Sequence, residues 1–332
     1  MTVQIGVSFD GFNSFDDAIA LAKDAVQAGA TGLWMADHLG YREAIVSCLG
    51  FALATSGARL VPTAISPYLR HPMPTAMQLA TLAEAAPGRV AIAIGVGNPL
   101  FLGESGEMID KPVRVVREFV EALRALWSGE PITIEAHRFR LQGARMMFRP
   151  SAPIPIYLAP MRQQMLRLAG RIADGVVLSA GISAAYARHS LAIAANGASE
   201  AQRDWGVLHS AGYIFMMASD DESRAVETIR RKLAFVLRNR FLDENVAYSG
   251  IPVDQEAIIA AIAQRDLDGA ARLVSDDAVE AFAVAGDVKK CCEKLAAFID
   301  AGLKELVLLF SGEAADRHNN LEVVRQLRAA SR

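Results

Sequence analysis

The residues of this chain best suited to chemistry are Asp37 and His38, in the stretch WMADHLG. They follow the apolar run Trp34-Met35-Ala36, which is typical of a buried strand. An imidazole exchanges protons near neutral pH and donates hydrogen bonds to carbonyl oxygens, so His38 is a candidate catalytic residue. Asp37 either joins His38 in a site or caps the helix that follows, and the sequence leaves both roles open.

Two glycines end another apolar run, in AIAIGVGNPLFLG. Because Gly95 and Gly97 lack a Cβ, the backbone there can approach a flat ligand closely. The dinucleotide-binding fingerprint is not expected, since the third glycine is missing and Pro99 and Leu100 are predicted to open no helix. The pattern therefore disfavours a nicotinamide-binding Rossmann domain.

Two further stretches, LAPMRQQM and LSAGIS, each join the end of a predicted strand to the start of a predicted helix. The free N–H groups and the dipole of a helix amino terminus can hold a phosphate group. Arg162 would be the charged contact to that phosphate. The alternative is that Ser183 only caps its helix and that Arg162 is solvated.

No metal site and no disulfide framework is expected. Four histidines have no chemical context and are interpreted as ordinary surface or core residues: His137, His189, His209 and His318. No pair of histidines has a spacing suited to a metal ion. The three cysteines, Cys48, Cys291 and Cys292, are interpreted as reduced thiols without a catalytic role.

The elements that must position these side chains alternate between strands and helices, which predicts an α/β fold, a (β/α)8 TIM barrel with insertions. An open doubly wound sheet is the alternative. A helix with Asp110 as its N-cap is predicted to end at Gly129. A single domain is predicted over residues 1–332, with excursions from the barrel at about 130–153 and 239–285. The eight predicted strands are Val3–Phe9, Thr31–Ala36, Arg59–Ile65, Arg89–Gly95, Ile154–Ala159, Gly175–Ser179, Tyr213–Met217 and Glu305–Phe310.

Composition excludes several classes of function. The 332 residues include 34 basic and 37 acidic side chains, with a net charge of -3, and no basic cluster suggests a nucleic-acid partner. No apolar run approaches the roughly 20 residues of a membrane span. The amino terminus has no signal-peptide pattern, so a cytoplasmic protein is expected.

The third predicted strand runs into RLVPTAISPYLRHP, where prolines stiffen its carboxyl end. This stretch belongs to an ordered set that covers most of the chain and resembles the luciferase-like family of flavin- and deazaflavin-dependent oxidoreductases. The branch it resembles is typified by methylene-tetrahydromethanopterin reductase. The resemblance is carried by GLWMADHLGYRE, PTAISPYLRHPMPTAMQLATLAEAAPGRVAIAIGVGNP, KPVRVVREFVEALRALWSGE, FRLQGARMMFRPSAPIPIYLAP, RLAGRIADGVVLSAG and EAFAVAGDVKKCCEKLAAFIDAGLKELVL.

The resemblance implies hydride transfer at a ring cofactor lying across the barrel mouth, either coenzyme F-420, a deazaflavin, or FMN. It places a bulge, with a non-proline cis peptide, against the ring at Thr63-Ala64-Ile65. Asp37 and His38 would approach the polar edge of the ring. The other residues implied are Gly97 for the cofactor, Ala159, Pro160, Met161, Arg162, Ser179, Ala180 and Gly181 for its phosphate tail, and Phe9, Arg70 and His71 for the substrate.

One position departs from the family pattern. Deazaflavin-using relatives typically have an acid after the G-x-G of strand four, whereas this chain has Asn98. An amide hydrogen-bonds a substrate but does not donate a catalytic proton as a carboxylic acid does, so His38 or Glu104 would replace the acid, or the reaction differs.

The leading prediction is an F-420-dependent reductase or dehydrogenase of a small organic molecule. The alternatives are an FMN-dependent monooxygenase supplied by a partner flavin reductase, and a non-catalytic flavin-binding protein. A homodimer or higher homo-oligomer is expected, with the apolar helix Thr75–Ala86 as one possible contact face and burial in the barrel's own helix ring as the other interpretation of that helix.

Overall fold

A computed structural model describes residues 3–330 of the chain. Nine parallel strands form the main sheet: eight follow the order β3-β2-β1-β11-β9-β8-β7-β4, and β10 pairs with the end of β9. Two parallel bridges, Leu60 to Val90 and Ile65 to Ile94, join the outer strands of this order and close the barrel. The strands are β1 (Gln4–Phe9), β2 (Gly32–Ala36), β3 (Arg59–Thr63), β4 (Ile92–Ile94), β5 (Ile132–Glu135), β6 (Arg140–Ala144), β7 (Ile156–Leu158), β8 (Gly175–Leu178), β9 (His209–Ala218), β10 (Val284–Gly286) and β11 (Glu305–Phe310).

Helices pack around the barrel, so the predicted (β/α)8 architecture is confirmed. Most helices begin at a side chain that accepts a hydrogen bond from the first turn, as Ser14 and Ser183 do. The helices are α1 (Phe15–Ala28), α2 (Ala44–Ala54), α3 (Pro72–Ala85), α4 (Pro99–Glu104), α5 (Pro112–Trp127), α6 (Gln163–Ile172), α7 (Ala184–Glu200), α8 (Glu222–Leu237), α9 (Asp243–Ser249), α10 (Gln255–Ala263), α11 (Leu267–Arg272), α12 (Asp276–Phe282), α13 (Val288–Asp300) and α14 (Arg317–Ala330).

Two segments depart from the regular alternation. Strands β5 and β6 form an antiparallel hairpin before β7. Helices α8 to α12 lie between β9 and β10. The domain predicted over residues 1–332 also includes Met1, Thr2, Ser331 and Arg332, which lie outside the described residues.

Two local predictions are wrong. Pro99 does open a helix, α4, because proline is tolerated in the first turn, where its missing N–H has no partner to lose. Asp110 is not the N-cap of α5; Lys111 occupies that position with a φ of 44°, and Asp110 instead pairs with His137 on the β5–β6 hairpin.

Strand β9 is longer than predicted and extends past the barrel. Its last residues, Met216 to Ala218, pair with β10, and Ser219 N donates to the Gly286 carbonyl over 2.9 Å. The segment between β9 and β10 therefore leaves and rejoins the fold at adjacent points.

A polar network around the fully buried Glu305 closes the interior of the barrel at the amino-terminal ends of its strands. One carboxylate oxygen accepts from Trp34 Nε1 at 2.8 Å, and the other from Arg59 Nη2 at 2.7 Å and from His209 Nε2 at 2.8 Å. Burial alone would raise the pKa of Glu305, but the hydrogen bond from His209 and the charge of Arg59 outweigh it and lower the pKa. The network seals the amino-terminal end of the barrel, so the opposite end is left for the site.

Candidate functional site

The carboxyl end of β3 has the unusual backbone that the sequence predicts. The Thr63-Ala64 peptide bond is cis, which confirms the predicted non-proline cis peptide. Ile65 is buried and bridges Ile94 of β4. A Cβ built on Gly95 would lie 2.9 Å from the Ala64 Cβ and 3.5 Å from the Ala159 Cβ. The ends of β3, β4 and β7 thus approach each other through small residues only, which is the surface a flat ring requires.

Gly97 and Asn98 continue this surface on the β4 side. Gly97 has a φ of +100°, and a Cβ there would meet Ser66 Oγ at 3.1 Å. The Asn98 side chain accepts from the Leu100 N–H at 3.0 Å and caps α4. Glu104 is the last residue of this six-residue helix, roughly 9 Å along its axis from the cap.

His38 lies in the mouth with one ring nitrogen already committed. Its Nδ1 is 2.8 Å from the carbonyl oxygen of Asp10, and because a carbonyl only accepts, Nδ1 carries the proton. The ring stacks on Phe12 with a centroid distance of 5.3 Å. The neutral imidazole therefore has its acceptor at Nε2, which is the arrangement of a group that takes a proton from a substrate hydroxyl.

Asp37 belongs to an ion-pair cluster next to His38. Arg70 Nη2 donates to Asp37 Oδ2 at 2.9 Å and to Glu43 Oε1 at 2.7 Å. Burial alone would lower the pKa of Arg70, but the two carboxylates outweigh it and raise the pKa. Asp37 also accepts from the Ala44 N–H, the first residue of α2, at 3.4 Å. Asp37 and Arg70 thus hold each other and the start of α2.

The structure does not bring the other substrate-side candidates together in one open space. Phe9 is buried, with its ring 4.6 Å from that of Phe51. His71 accepts from the Met73 N–H at 3.2 Å, caps α3, and meets Phe139 of the β5–β6 hairpin edge to face. Their substrate roles stay predictions.

The loops predicted to hold the cofactor tail lie side by side at the ends of β7 and β8. Pro160, Met161 and Ser179 line a common cavity of about 10 Å³. Helix α6 has no side-chain cap at its amino terminus, so no capping side chain occupies its first N–H groups. Ala180 packs on the core, and Gly181 has a φ of +76°. Ser183 caps α7 by accepting from the Tyr186 N–H at 3.1 Å, as the alternative given in the sequence analysis predicts.

Arg162 is partly exposed and is paired with the segment between β9 and β10. Its Nη1 is 2.7 Å from Asp243 Oδ1 and 3.8 Å from Glu244 Oε1, and its guanidinium lies 5.1 Å from the Phe241 ring centroid. The fully buried Asn245 accepts from the Ser183 N–H at 2.8 Å. Sequence reasoning missed these partners, because no spacing rule links positions about 80 residues apart.

Two more groups at the mouth were missed. The Tyr213 hydroxyl is buried in the barrel beside Ser8 and Thr63, and burial raises the pKa of Tyr213. Lys232 is half-buried on the same face of α8 as Val236, four residues on, whose side chain lies against Gly181. Burial lowers the pKa of Lys232, and the Asp10 carboxylate partly opposes this. The sequence signal that could have indicated Tyr213 is that it is a polar side chain in a predicted strand.

A larger cavity of about 640 Å³ lies at the opposite end of the barrel, where α1 and α2 end and β2 and β3 begin. It contains none of the predicted site residues. Within residues 3–330 no group of three or more His, Cys, Asp or Glu side chains could hold a metal ion. In the same range no helix combines the length and hydropathy of a membrane span.

A closed barrel of eight parallel strands, with Asp37, His38 and Arg70 following the carboxyl ends of its strands, has the architecture of a TIM-barrel enzyme. Residues 2–305 match the family model described as luciferase-like monooxygenase, and the chain belongs to this family. The resemblance noted in the sequence is therefore confirmed, and the chain is an oxidoreductase of that family.

Three proteins of known name show which members of the family the chain is similar to. It is 29% identical to the F-420-dependent glucose-6-phosphate dehydrogenase of Beutenbergia cavernae, over 95% of this chain and 94% of the relative. It is 27% identical to the 5,10-methylenetetrahydromethanopterin reductase of Methanolobus tindarius, over 86% and 87%. The solved structure of the coenzyme F-420-dependent tetrahydromethanopterin reductase of Methanopyrus kandleri superposes with a TM-score of 0.90, at 26% identity and 99% coverage of both chains.

Proposed function

We propose that this chain transfers a hydride between coenzyme F-420 and a small organic substrate. The observation that carries the proposal is His38, at the carboxyl end of β2, whose Nδ1–H is held by the Asp10 carbonyl, so that Nε2 of the neutral ring is left as the proton acceptor. The relatives whose names include F-420, which align with 95% or more of the chain, support the choice of cofactor over FMN.

The residues present fit a deazaflavin. Gly95, Ala64 and Ala159 form a cradle that any larger side chain would fill, and we assign the flat ring to it. The uncapped amino terminus of α6 and Arg162 supply N–H donors and a cation for an anionic tail. When bound, F-420 supplies the carbon that accepts or gives the hydride, and the protein supplies orientation and proton exchange.

His38, rather than Asn98 or Glu104, is our choice for the proton carrier. The Asn98 carbonyl oxygen is engaged in capping α4, and an amide has no proton to exchange at neutral pH. Glu104 is exposed at the far end of α4. In the oxidising direction His38 Nε2 would take the hydroxyl proton as the hydride leaves the adjacent carbon; in the reducing direction it would return that proton.

We also propose that two copies associate through α2. This helix has no charged residue, and Val46, Leu49 and Leu53 form an exposed apolar stripe at spacings of three and four. Met77 of the neighbouring α3 extends the stripe, whereas most of the predicted contact helix Thr75–Ala86 is buried in the helix ring. A self-complementary apolar surface suits a two-fold interface.

The test is an anaerobic fluorescence titration of the purified chain with F-420 and with FMN, each oxidised and reduced. The proposal expects F-420 to bind more tightly than FMN in both states. Tighter binding of reduced FMN, followed by oxygen consumption with reduced FMN, would replace the proposal by a monooxygenase. Binding of neither would refute both.

A further inference from the structure

The segment of residues 240–249, called the strap here, lies across the loops assigned to the cofactor tail. It consists of a short 3-10 helix, Arg240–Leu242, and α9. Phe241 and Leu242 of the strap close the small cavity that Pro160, Met161 and Ser179 line from below. Access to these loops is thus governed by how the strap is held.

Two sets of polar contacts join the strap to the loops assigned to the cofactor tail. Asn245 is fully buried; its Oδ1 accepts from the Ser183 N–H at 2.8 Å and its Nδ2 donates to the Gly181 carbonyl at 2.9 Å. These bonds satisfy backbone groups that would otherwise be buried without partners, so they are structural. The second set is the ion pair of Arg162 with Asp243, in which both side chains keep contact with solvent.

The ion pair has a different character from the Asn245 contacts. Asp243 Oδ1 lies 2.7 Å from Arg162 Nη1, the position in which a guanidinium binds a phosphate or carboxylate oxygen of a ligand. Glu244 adds a second negative charge, with Oε1 3.8 Å from the same nitrogen. The cation available for an anionic tail is therefore neutralised by the protein's own carboxylates.

We propose that Asp243 is an internal competitor for the anionic tail of the cofactor, so that tail binding must displace it from Arg162. This inference rests on the proposed function. The expected consequence is a lower affinity for cofactors that carry an anionic tail. The carboxylates of Asp243 and Glu244 would also disfavour negative charge on the tail beyond its first anionic group. The flat ring is held elsewhere, by Gly95 and Ala64, and its binding is independent of the strap.

The substitution D243N removes the competing charge with little cost to the fold. Asp243 Oδ1 accepts from the Glu244 N–H at 2.7 Å, and an asparagine Oδ1 keeps that bond. An exposed ion pair of this kind corresponds to a change in affinity of about two- to five-fold. The matched control is E256Q, because Glu256 pairs with Arg240 of the same strap at 2.7 Å but does not contact Arg162.

The experiment is a fluorescence titration of the wild type, D243N and E256Q with F-420 and with the tail-less deazaflavin that ends at its ribityl chain. D243N should bind F-420 about two- to five-fold more tightly than the wild type and the tail-less form equally well, while E256Q should change neither. Equal or weaker binding of F-420 by D243N, or an equal gain for both forms, would overturn the proposal.

A calorimetric titration with inorganic pyrophosphate separates this inference from the proposed function. The competitor model expects D243N to bind pyrophosphate about two- to five-fold more tightly than the wild type, whichever ring the enzyme uses. If neither deazaflavin binds but D243N still gains affinity for pyrophosphate, the proposed function fails and the competitor stands. If pyrophosphate affinity is unchanged or absent in D243N, the competitor is refuted.

Discussion

Replacing Glu305 by glutamine should destabilise the barrel more than any exchange of an exposed acid. The fully buried carboxylate accepts from Trp34 at one oxygen and from Arg59 and His209 at the other, and Glu305→Gln removes the charge and leaves at least one of these donors facing the amide NH2 group. Removing one partner of a buried ion pair costs about 3–5 kcal/mol, because the remaining charge is buried without compensation.

The size of the effect on melting temperature follows from the length of the chain. An unfolding entropy of about 2.1 cal/mol/K per residue gives roughly 0.7 kcal/mol/K for this protein, so the melting temperature of Glu305→Gln should fall by about 4–7 °C. Glu135→Gln is the control, since Glu135 and its partner Arg140 are both largely exposed. That pair contributes at most about 1 kcal/mol, and its loss should shift the melting temperature by about 1 °C.

The pH dependence provides a second check of the same reasoning. The pKa of Glu305 is lowered in the folded protein, so its contribution to the free energy of unfolding is complete above the unfolded value near 4.5 and is lost as pH falls through the lower folded value. The difference in melting temperature between wild type and Glu305→Gln should be constant from about pH 6 to 8 and shrink below about pH 4. Differential scanning fluorimetry measures both, and a shift no larger than that of Glu135→Gln would refute the reasoning.

Three further predictions concern the site and the assembly. His38→Asn should lower kcat by about 10²- to 10⁴-fold, with the dissociation constant for F-420 nearly unchanged; unaltered turnover in a steady-state assay would exclude His38 as the proton carrier. Gly95→Ala should weaken F-420 binding in a titration, because the new Cβ meets the Ala64 Cβ at 2.9 Å, and the double variant with Ala64→Gly should recover part of the affinity; an equal loss in both contradicts the cradle. Leu53→Lys should give a monomer in analytical ultracentrifugation, while a stable dimer would place the interface elsewhere.

Much of the fold can be predicted from the sequence, because burial of one side of a strand or helix gives its apolar residues a characteristic spacing. β11 matches its predicted bounds, and β1 and β2 differ from theirs by one residue. The start of β9 was placed too late because its first residues, HSAG, include a histidine that serves the Glu305 network and a glycine packed against Leu303. These residues have a tertiary role that no local pattern expresses.

The predicted site residues Asp37 and His38 lie at the carboxyl end of β2, as the sequence indicates, but the side-chain pairings around them could not be predicted. Asp37 and His38 do stand at the mouth, since the end of a buried strand is encoded locally. The partner of Asp37 is Arg70, 33 positions later, and the partner of Arg162 is Asp243, 81 positions later. Such distant pairs depend on how loops meet in space, and a single sequence has no signal for them.

The extension of β9 beyond the barrel bears on how long the segment between β9 and β10 can be. Because Ser219 and Gly286 are hydrogen-bonded neighbours, the polypeptide between them begins and ends at one place on the scaffold. The closure free energy of such a loop grows only with the logarithm of its length, by about 0.6 kcal/mol for each doubling. Chain closure therefore sets little limit on the length of this stretch, whereas its buried residues, among them Ile229 and Leu233 of α8, tie its first helix to the barrel core.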